Sequence, residues 1–201
     1  MPETPISFKS ENLTIDGRLF TADANRGVVI THPHPLFGGE MNNPVVQSIK
    51  TVYQRKGYTT LRFNFRGVGQ SEGLYDEGRG EKQDLVAAAA FLRQRGITAI
   101  DLAGYSFGTW INASAAGALA VHAMIMVSPP AAMLEFEKDQ PIDSLKLVVT
   151  GSEDEFAPPR LVRPMVEGWN PDAAFYVIDG ADHFFFGHIS ELEKTLAAHI
   201  T

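Results

Sequence analysis

The sequence predicts an α/β fold, a three-layer sandwich in which a mostly parallel, doubly wound sheet lies between helices. Three observations predict it. Short apolar segments alternate with helical patterns along most of the chain, which is typical of parallel sheets with helices on both faces. A loosely alternating segment, residues 6–20, opens the chain and favours an antiparallel edge. No repeat, low-complexity tract or linker interrupts the 201 residues, so we expect a single domain over residues 1–201.

The predicted strands follow one another at regular intervals. Residues 6–20 read as two antiparallel strands joined at Asp16–Gly17, a dipeptide that favours hairpin turns. Residues 28–31 form a β-branched run typical of a buried strand. The remaining predicted strands cover residues 59–65, 97–103, 121–127, 145–150 and 175–178.

Helices are predicted between these strands. Asn43 and Pro44 supply a cap and a first-turn proline for a helix that ends before Gly57. The pattern of Ser190–Glu193 resembles a capping box that opens a final helix. That helix presents three apolar residues on one face: Leu192, Leu196 and Ile200. Two further helices are predicted, one over residues 81–95 and one from residue 109 to about residue 119.

Composition excludes several classes of function. The formal net charge of −7 argues against binding to nucleic acids or anionic membranes, because both need a basic face. The chain has no cysteine, which excludes disulfides, thiolate catalysis and cysteine-ligated metals. Residues 1–5 lack the features of a signal peptide, and the apolar stretch 118–127 is too short to span a bilayer. We therefore expect a cytoplasmic protein.

Residues 104–108 carry the pattern G-x-S-x-G, with Ser106 at its centre. An apolar run precedes them and a helix-compatible run follows, and strand, sharp turn and helix are the context of a nucleophile elbow. Larger side chains at Gly104 and Gly108 would collide with the opposite arm of the turn. The pattern therefore predicts that Ser106 is a nucleophile.

A serine nucleophile needs a base, and the base needs an orienting carboxylate. Asp154 follows one predicted strand and His183 follows the last one, so both are expected at the carboxyl edge of the sheet. The order Ser106, Asp154, His183 is the order found in α/β-hydrolases. The competing candidates are Glu153 and Glu155 for the acid and His188 for the base, whereas Asp182 reads as turn chemistry.

Two longer stretches resemble the α/β-hydrolase superfamily, in particular its small lidless bacterial branch. They are His-Pro-His-Pro-Leu-Phe-Gly-Gly at residues 32–39 and Arg-Phe-Asn-Phe-Arg-Gly at residues 62–67. The segments 151–154 and 180–183 also match the acid and histidine turns of the superfamily. The chain departs from the superfamily at Asn64, where aspartate is frequent. The resemblance implies a serine hydrolase that acts on carboxylic esters, and the shortness of residues 128–144 implies an open site without a cap domain.

The oxyanion of an acyl-transfer intermediate needs two backbone N–H donors. In this fold one is the amide after the nucleophile, Phe107. The other comes from residues 34–39, whose prolines have no N–H. We expect Leu36 to supply it, with Phe37 and His34 as alternatives.

Two patterns resemble metal or cofactor sites. The spacing of His32 and His34 suits metal ligands, but no carboxylate or further histidine follows at a ligand-like spacing. Residues 66–71 are rich in glycine but lack the lysine of a phosphate loop and the third glycine of a dinucleotide site. We expect structural roles for both histidines, an Arg66 that ties loops together, and neither metal nor cofactor.

The sequence thus predicts a hydrolase, a carboxylesterase, for a small acyl substrate. The same triad also fits acyl transfer or cleavage of peptides, thioesters or lactones, because the bond attacked depends on the shape of the pocket. A binding protein on the same fold is the alternative from another class. An exposed edge strand would allow a homodimer, which nothing in the sequence requires.

Overall fold

The computed structural model describes residues 2–22, 25–137 and 140–201. Within these ranges eight strands form one sheet in the order β1-β2-β4-β3-β5-β6-β7-β8. The strands are β1 (Thr4–Ser10), β2 (Leu13–Phe20), β3 (Arg26–Thr31), β4 (Thr59–Phe63), β5 (Ala99–Tyr105), β6 (Met124–Val127), β7 (Leu145–Gly151) and β8 (Ala174–Ile178). Strands β3 to β8 are parallel, whereas β1 and β2 form an antiparallel edge.

Helices cover both faces of the sheet. They are α1 (Pro44–Arg55), α2 (Arg79–Arg93), α3 (Phe107–Ala115), α4 (Pro159–Trp169) and α5 (Ile189–His199). One apolar cluster joins the sheet to α2, α3 and α4, and a second joins it to α1 and α5. The predicted three-layer α/β class is therefore confirmed.

The first hairpin turns at a different place from the one predicted. The chain reverses at Glu11 and the residue after it, and Asp16–Gly17 lies inside β2. A Cβ atom on Gly17 would lie 3.0 Å from the carbonyl oxygen of Arg62 in β4. The glycine thus permits close approach of a neighbouring strand, and the expectation that it marks the turn is wrong.

Two helices differ from the predictions. Helix α4 has no counterpart among the predicted elements, since Pro164 lies inside it and an internal proline reads as a break. Helix α5 begins at Ile189 with His188 at its N-cap position, so the capping box predicted at Ser190 is wrong. Its three predicted apolar residues are nevertheless buried.

The longest loop at the carboxyl edge of the parallel strands is residues 128–144, between β6 and β7. The described part of residues 128–144, which excludes residues 138 and 139, contains only turns and irregular backbone. This agrees with the predicted absence of a cap. In the described part of the chain, no helix is both long enough and apolar enough to cross a membrane.

Candidate active site

Ser106 occupies the sharp turn between β5 and α3. Its backbone has φ 54° and ψ −122°, a conformation that a non-glycine residue rarely adopts. A Cβ atom on Gly104 would lie 2.8 Å from the carbonyl carbon of Gly108, and one on Gly108 would lie 2.7 Å from the carbonyl oxygen of Thr31. Gly104 therefore lets the two arms of the turn approach each other, as expected. Gly108 instead lets the turn pack against β3, so the reason expected for that glycine was wrong.

His183 lies in the loop after β8, with its side chain directed at the elbow. Its Nε2 is 2.9 Å from Ser106 Oγ. The Tyr105 hydroxyl donates to the backbone oxygen of His183 at 2.9 Å, which joins the loop to the residue before the serine. The rings of Phe156 and Phe184 pack edge-on against the imidazole, with centroids 4.8 and 5.6 Å away. These contacts fix the position of the ring relative to the serine.

Asp154 follows β7 and lies on the other side of the imidazole. Both of its carboxylate oxygens are 2.9 Å from His183 Nδ1. The amides of Phe156 and Ala157 donate to Oδ1 at 3.0 and 2.7 Å. The side chain of Asp154 is completely buried. The structure therefore brings together all three residues that the sequence selected.

The charge on Asp154 determines which nitrogen of His183 carries a proton. Desolvation by burial raises the pKa of Asp154. The hydrogen bond from His183, the charge of His183 and the hydrogen bond from the Ala157 amide together lower it by more, so the pKa lies below its ordinary value. An ionised carboxylate only accepts hydrogen bonds, so Nδ1 of His183 carries the proton. Nε2 then offers its lone pair to the hydroxyl of Ser106.

The competing acids and base lie away from this hydrogen-bonded set. Glu153 and Glu155 are exposed. Asp182 Oδ1 accepts the backbone amides of Phe184 and Phe186. Asp182 therefore stabilises its own turn, as expected. His188 precedes α5 and lies 3.7 Å from a glutamate of that helix.

The loop at residues 34–39 was expected to direct the Leu36 amide into the site, and this expectation is wrong. The amide of Leu36 donates to Nδ1 of His34 at 3.2 Å, and Leu36 does not line the cavity that contains Ser106. The amide of Phe37 is also engaged, with the backbone oxygen of His34 at 3.1 Å. The structure therefore does not bring Leu36 to the site, because its N–H is turned into its own loop.

His34 lines the cavity, and its own amide donates to no acceptor in the described part of the chain. Its ring is 4.8 Å from the ring of Phe107, and Nε2 lies 3.3 Å from the Tyr75 hydroxyl. Desolvation by burial lowers the pKa of His34, which favours the neutral ring that accepts the Leu36 amide. The side chain thus holds the loop against the elbow.

His32 anchors the start of the same loop from inside the protein. Its Nδ1 is 2.6 Å from the oxygen of Pro33, and its Nε2 accepts the amide of Phe65 at 3.0 Å. Burial lowers the pKa of His32 to about 4, so the ring is neutral near pH 7. Both histidines have the structural hydrogen bonds expected of them.

The segment after β4 supports this arrangement. Arg66 pairs with buried Asp84 at 2.8 Å and with Glu11 at 3.0 Å, so it ties loops together as predicted. Asn64 accepts the amide of Met41 through Oδ1 at 2.9 Å. The residue that departs from the superfamily therefore has a structural partner of its own.

A cavity of about 400 Å³ opens at Ser106. Among the described residues that line it there is no lysine, arginine, aspartate or glutamate. Large apolar side chains that line it include Phe37, Phe107, Met133, Leu134, Phe156 and Phe184. Phe37, Met133 and Phe184 are at least half exposed, so the mouth is open and apolar.

Comparison with known proteins gives several relatives, although no family model matches the chain. An uncharacterised protein from Rickettsia prowazekii is 32% identical over 98% of this chain and 87% of its own length. An α/β serine hydrolase homologue from Coxiella burnetii is 35% identical, with a TM-score of 0.91, over 98% of this chain and 97% of that chain. A serine hydrolase without a lid from Xanthomonas campestris is 30% identical, with a TM-score of 0.91, over 98% and 93% of the two chains.

Proposed function

The chain belongs to the lidless branch of the α/β-hydrolase superfamily, and on that premise we propose that it is a serine hydrolase for a small, uncharged carboxylic ester. Ser106 is the nucleophile, His183 the general base and Asp154 the residue that orients the base. The distance of 2.9 Å between Ser106 Oγ and His183 Nε2 carries this proposal. It lies within the range for proton transfer between a nucleophile and its base.

The reaction proceeds in two halves. Ser106 Oγ attacks the ester carbonyl while its proton moves to Nε2 of His183, and Asp154 stabilises the resulting imidazolium. The tetrahedral intermediate expels the alcohol, which takes the proton from Nε2, and leaves an acyl group on the serine. A water molecule then loses a proton to His183 and attacks the acyl group. Release of the acid restores the hydroxyl of Ser106.

The oxyanion formed in each half requires N–H donors in the cavity. The first is the amide of Phe107, at the start of α3, where the helix dipole favours negative charge. For the second we propose the amide of His34 in place of Leu36. His34 lines the cavity, its amide has no acceptor among the described residues, and its ring packs on Phe107. The neutral His34 side chain holds this loop in place.

The cavity favours an uncharged substrate. A charged acyl or alcohol group would lose its hydration among apolar side chains and find no ion-pair partner there. An apolar group would instead gain free energy by leaving water, about 25 cal/mol per Å² of surface buried.

Activity against short p-nitrophenyl esters and labelling by a fluorophosphonate probe test the assignment. The Ser106→Ala variant should lose both, and the matched Ser114→Ala variant, altered in the same helical segment, should keep both. Full labelling of Ser106→Ala would refute the nucleophile assignment. Failure of the wild-type protein to react with any serine-directed probe would instead favour a binding protein. Thioester, lactone and peptide substrates, each with and without a competing amine, distinguish the other bonds that this triad could cleave.

A further inference from the structure

We propose that Met133 and Leu134 form a wall between the active-site cavity and a second cavity, and that this wall limits the length of the apolar arm of the ester. The inference rests on the proposed function and extends it to substrate size. The arm is either the acyl chain or the alcohol chain, since both are hydrocarbon and both lead away from the carbonyl carbon.

The second cavity has a volume of about 470 Å³, against about 400 Å³ for the cavity at Ser106. It lies between residues 131–136 and the first half of α4. Of the residues that the structure describes, Met133 and Leu134 alone line both cavities. These two side chains are therefore what separates the nucleophile from the additional space.

The second cavity suits a hydrocarbon chain along most of its length. Apolar side chains that line it include Ala131, Phe136, Leu161 and Met165. Two charged residues, Glu135 and Arg160, also line it, and both are exposed. An arm that entered this cavity would thus contact mainly apolar side chains.

The wall is attached to the catalytic machinery through the backbone. The amide of Ala132 donates to the oxygen of Phe156 at 3.0 Å, and the Phe156 ring packs 4.8 Å from the ring of His183. The amide of Met133 donates to the oxygen of Pro130 at 3.0 Å, which closes a turn. These bonds hold the backbone of the turn, so a change of side chain at Met133 alters the wall and leaves the base in place.

Shortening Met133 should affect the stability of the fold less than shortening Leu134. Met133 is 54% exposed, so Met133→Ala removes little buried surface and the variant should fold normally. Leu134 packs against the core, and Leu134→Ala serves as a second variant whose thermal unfolding is measured in parallel.

Two ester series test the proposal: p-nitrophenyl esters of increasing acyl length, and acetate esters of alcohols of increasing length. For the wild-type protein kcat/KM should rise with chain length and then fall once the cavity at Ser106 is filled. In one of the two series, Met133→Ala should shift the decrease in kcat/KM to longer chains. At the first chain length beyond the wild-type optimum, kcat/KM should rise about 10-fold or more, since one methylene in an apolar pocket changes it by roughly 10- to 200-fold.

A double variant tests whether the gain comes from the second cavity. Leu161 lines only that cavity, so Leu161→Trp in the Met133→Ala background should refill it and cancel the gain. Leu161→Ala alone, behind an intact wall, should keep the wild-type length profile. An unchanged optimum in both series for Met133→Ala and Leu134→Ala would overturn the inference while ester hydrolysis stands. No turnover of any ester by the wild-type protein would overturn the proposed function itself.

Discussion

Strand β5 has an acid–histidine pair near each of its ends, and the pair at the carboxyl end lies beside Ser106, the proposed nucleophile. At the carboxyl end, Asp154 and His183 lie beside Ser106. Near the amino end, Asp101 lies 2.9 Å from Nδ1 of His122, the same distance as in the first pair.

Their surroundings differ in three ways. The His122 side chain is 55% exposed, against 9% for His183. Asp154 accepts two backbone amides and has a lowered pKa, whereas burial raises the pKa of Asp101 because His122 offsets it only in part. A hydrogen-bonded pair is therefore common to both ends. In the described part of the chain, only the carboxyl end combines a buried histidine, a carboxylate that accepts backbone amides and a serine elbow.

The largest expected contrast is in turnover. His183→Gln should lower kcat by about 10⁴- to 10⁶-fold, as removal of the base does in other serine hydrolases. His122→Gln should leave kcat for p-nitrophenyl acetate unchanged. A comparable loss in both variants would show that the amino-end pair takes part in the reaction, contrary to the assignment.

The next contrast concerns the two acids. Asp154→Asn should lower kcat by about 10⁴-fold, because an amide no longer holds the Nδ1–H tautomer of the base. Asp101→Asn should have no effect on kcat. The fluorophosphonate labelling rate, followed in parallel, should fall only for Asp154→Asn, and equal labelling of the two variants would contradict the role of Asp154.

A third comparison uses His32, which is buried and has no carboxylate partner in the described part of the chain. Its folded pKa of about 4 lies below the unfolded value of about 6.5, so protons bind preferentially to the unfolded chain between these values. The free energy of unfolding should therefore fall as the pH drops from 6.5 to 4, by about 3 kcal/mol in total. Urea denaturation of His32→Gln should show a flatter pH dependence over this window, and the control His199→Gln should follow the wild type. Parallel curves for His32→Gln and the wild type would refute the prediction.

The smallest expected effect is the contribution of the two acids to the free energy of unfolding. This contribution changes with pH in opposite directions for Asp154 and Asp101. The lowered pKa of Asp154 contributes stability that is present above pH 3.8 and lost as the pH falls below it. The raised pKa of Asp101 contributes stability below pH 3.8 that is lost as the pH rises. Asp154→Asn should thus cost about 2 kcal/mol near pH 7, the size of a charged hydrogen bond, and less near pH 3. Asp101→Asn should become relatively more stable as the pH rises, and denaturation at several pH values distinguishes the two slopes.

Much of the fold was predictable because each strand has its own local signal. β-Branched runs and end signals such as Asn43 mark most elements within a few residues. Helix α4 was not predictable, since Pro164 breaks the local pattern and its stability comes from the burial of Val162, Val166 and Trp169 against the sheet. Gly17 was misread because a close approach between strands and a turn both require glycine.

The candidate site also has parts that the sequence could predict and parts that it could not. Ser106, Asp154 and His183 were predictable because each follows its own strand, and the carboxyl ends of parallel strands meet at one edge. The hydrogen bond of the Leu36 amide was not predictable, since it depends on the direction of the His34 ring. The second cavity could not be foreseen either, because it lies between a segment without regular structure and the helix that the sequence did not reveal.

The hydrogen bond from Tyr105 to the backbone of His183 has a consequence for biosynthesis. It joins residues 78 positions apart, so the elbow leaves the ribosome long before the base that activates it. A nascent chain that has folded only as far as α3 carries a serine with no base beside it. Because a domain generally folds as a unit, we expect the proposed esterase activity to appear only when β8 and its loop have left the ribosome and docked. The onset of turnover in a translation reaction would therefore time the last step of folding.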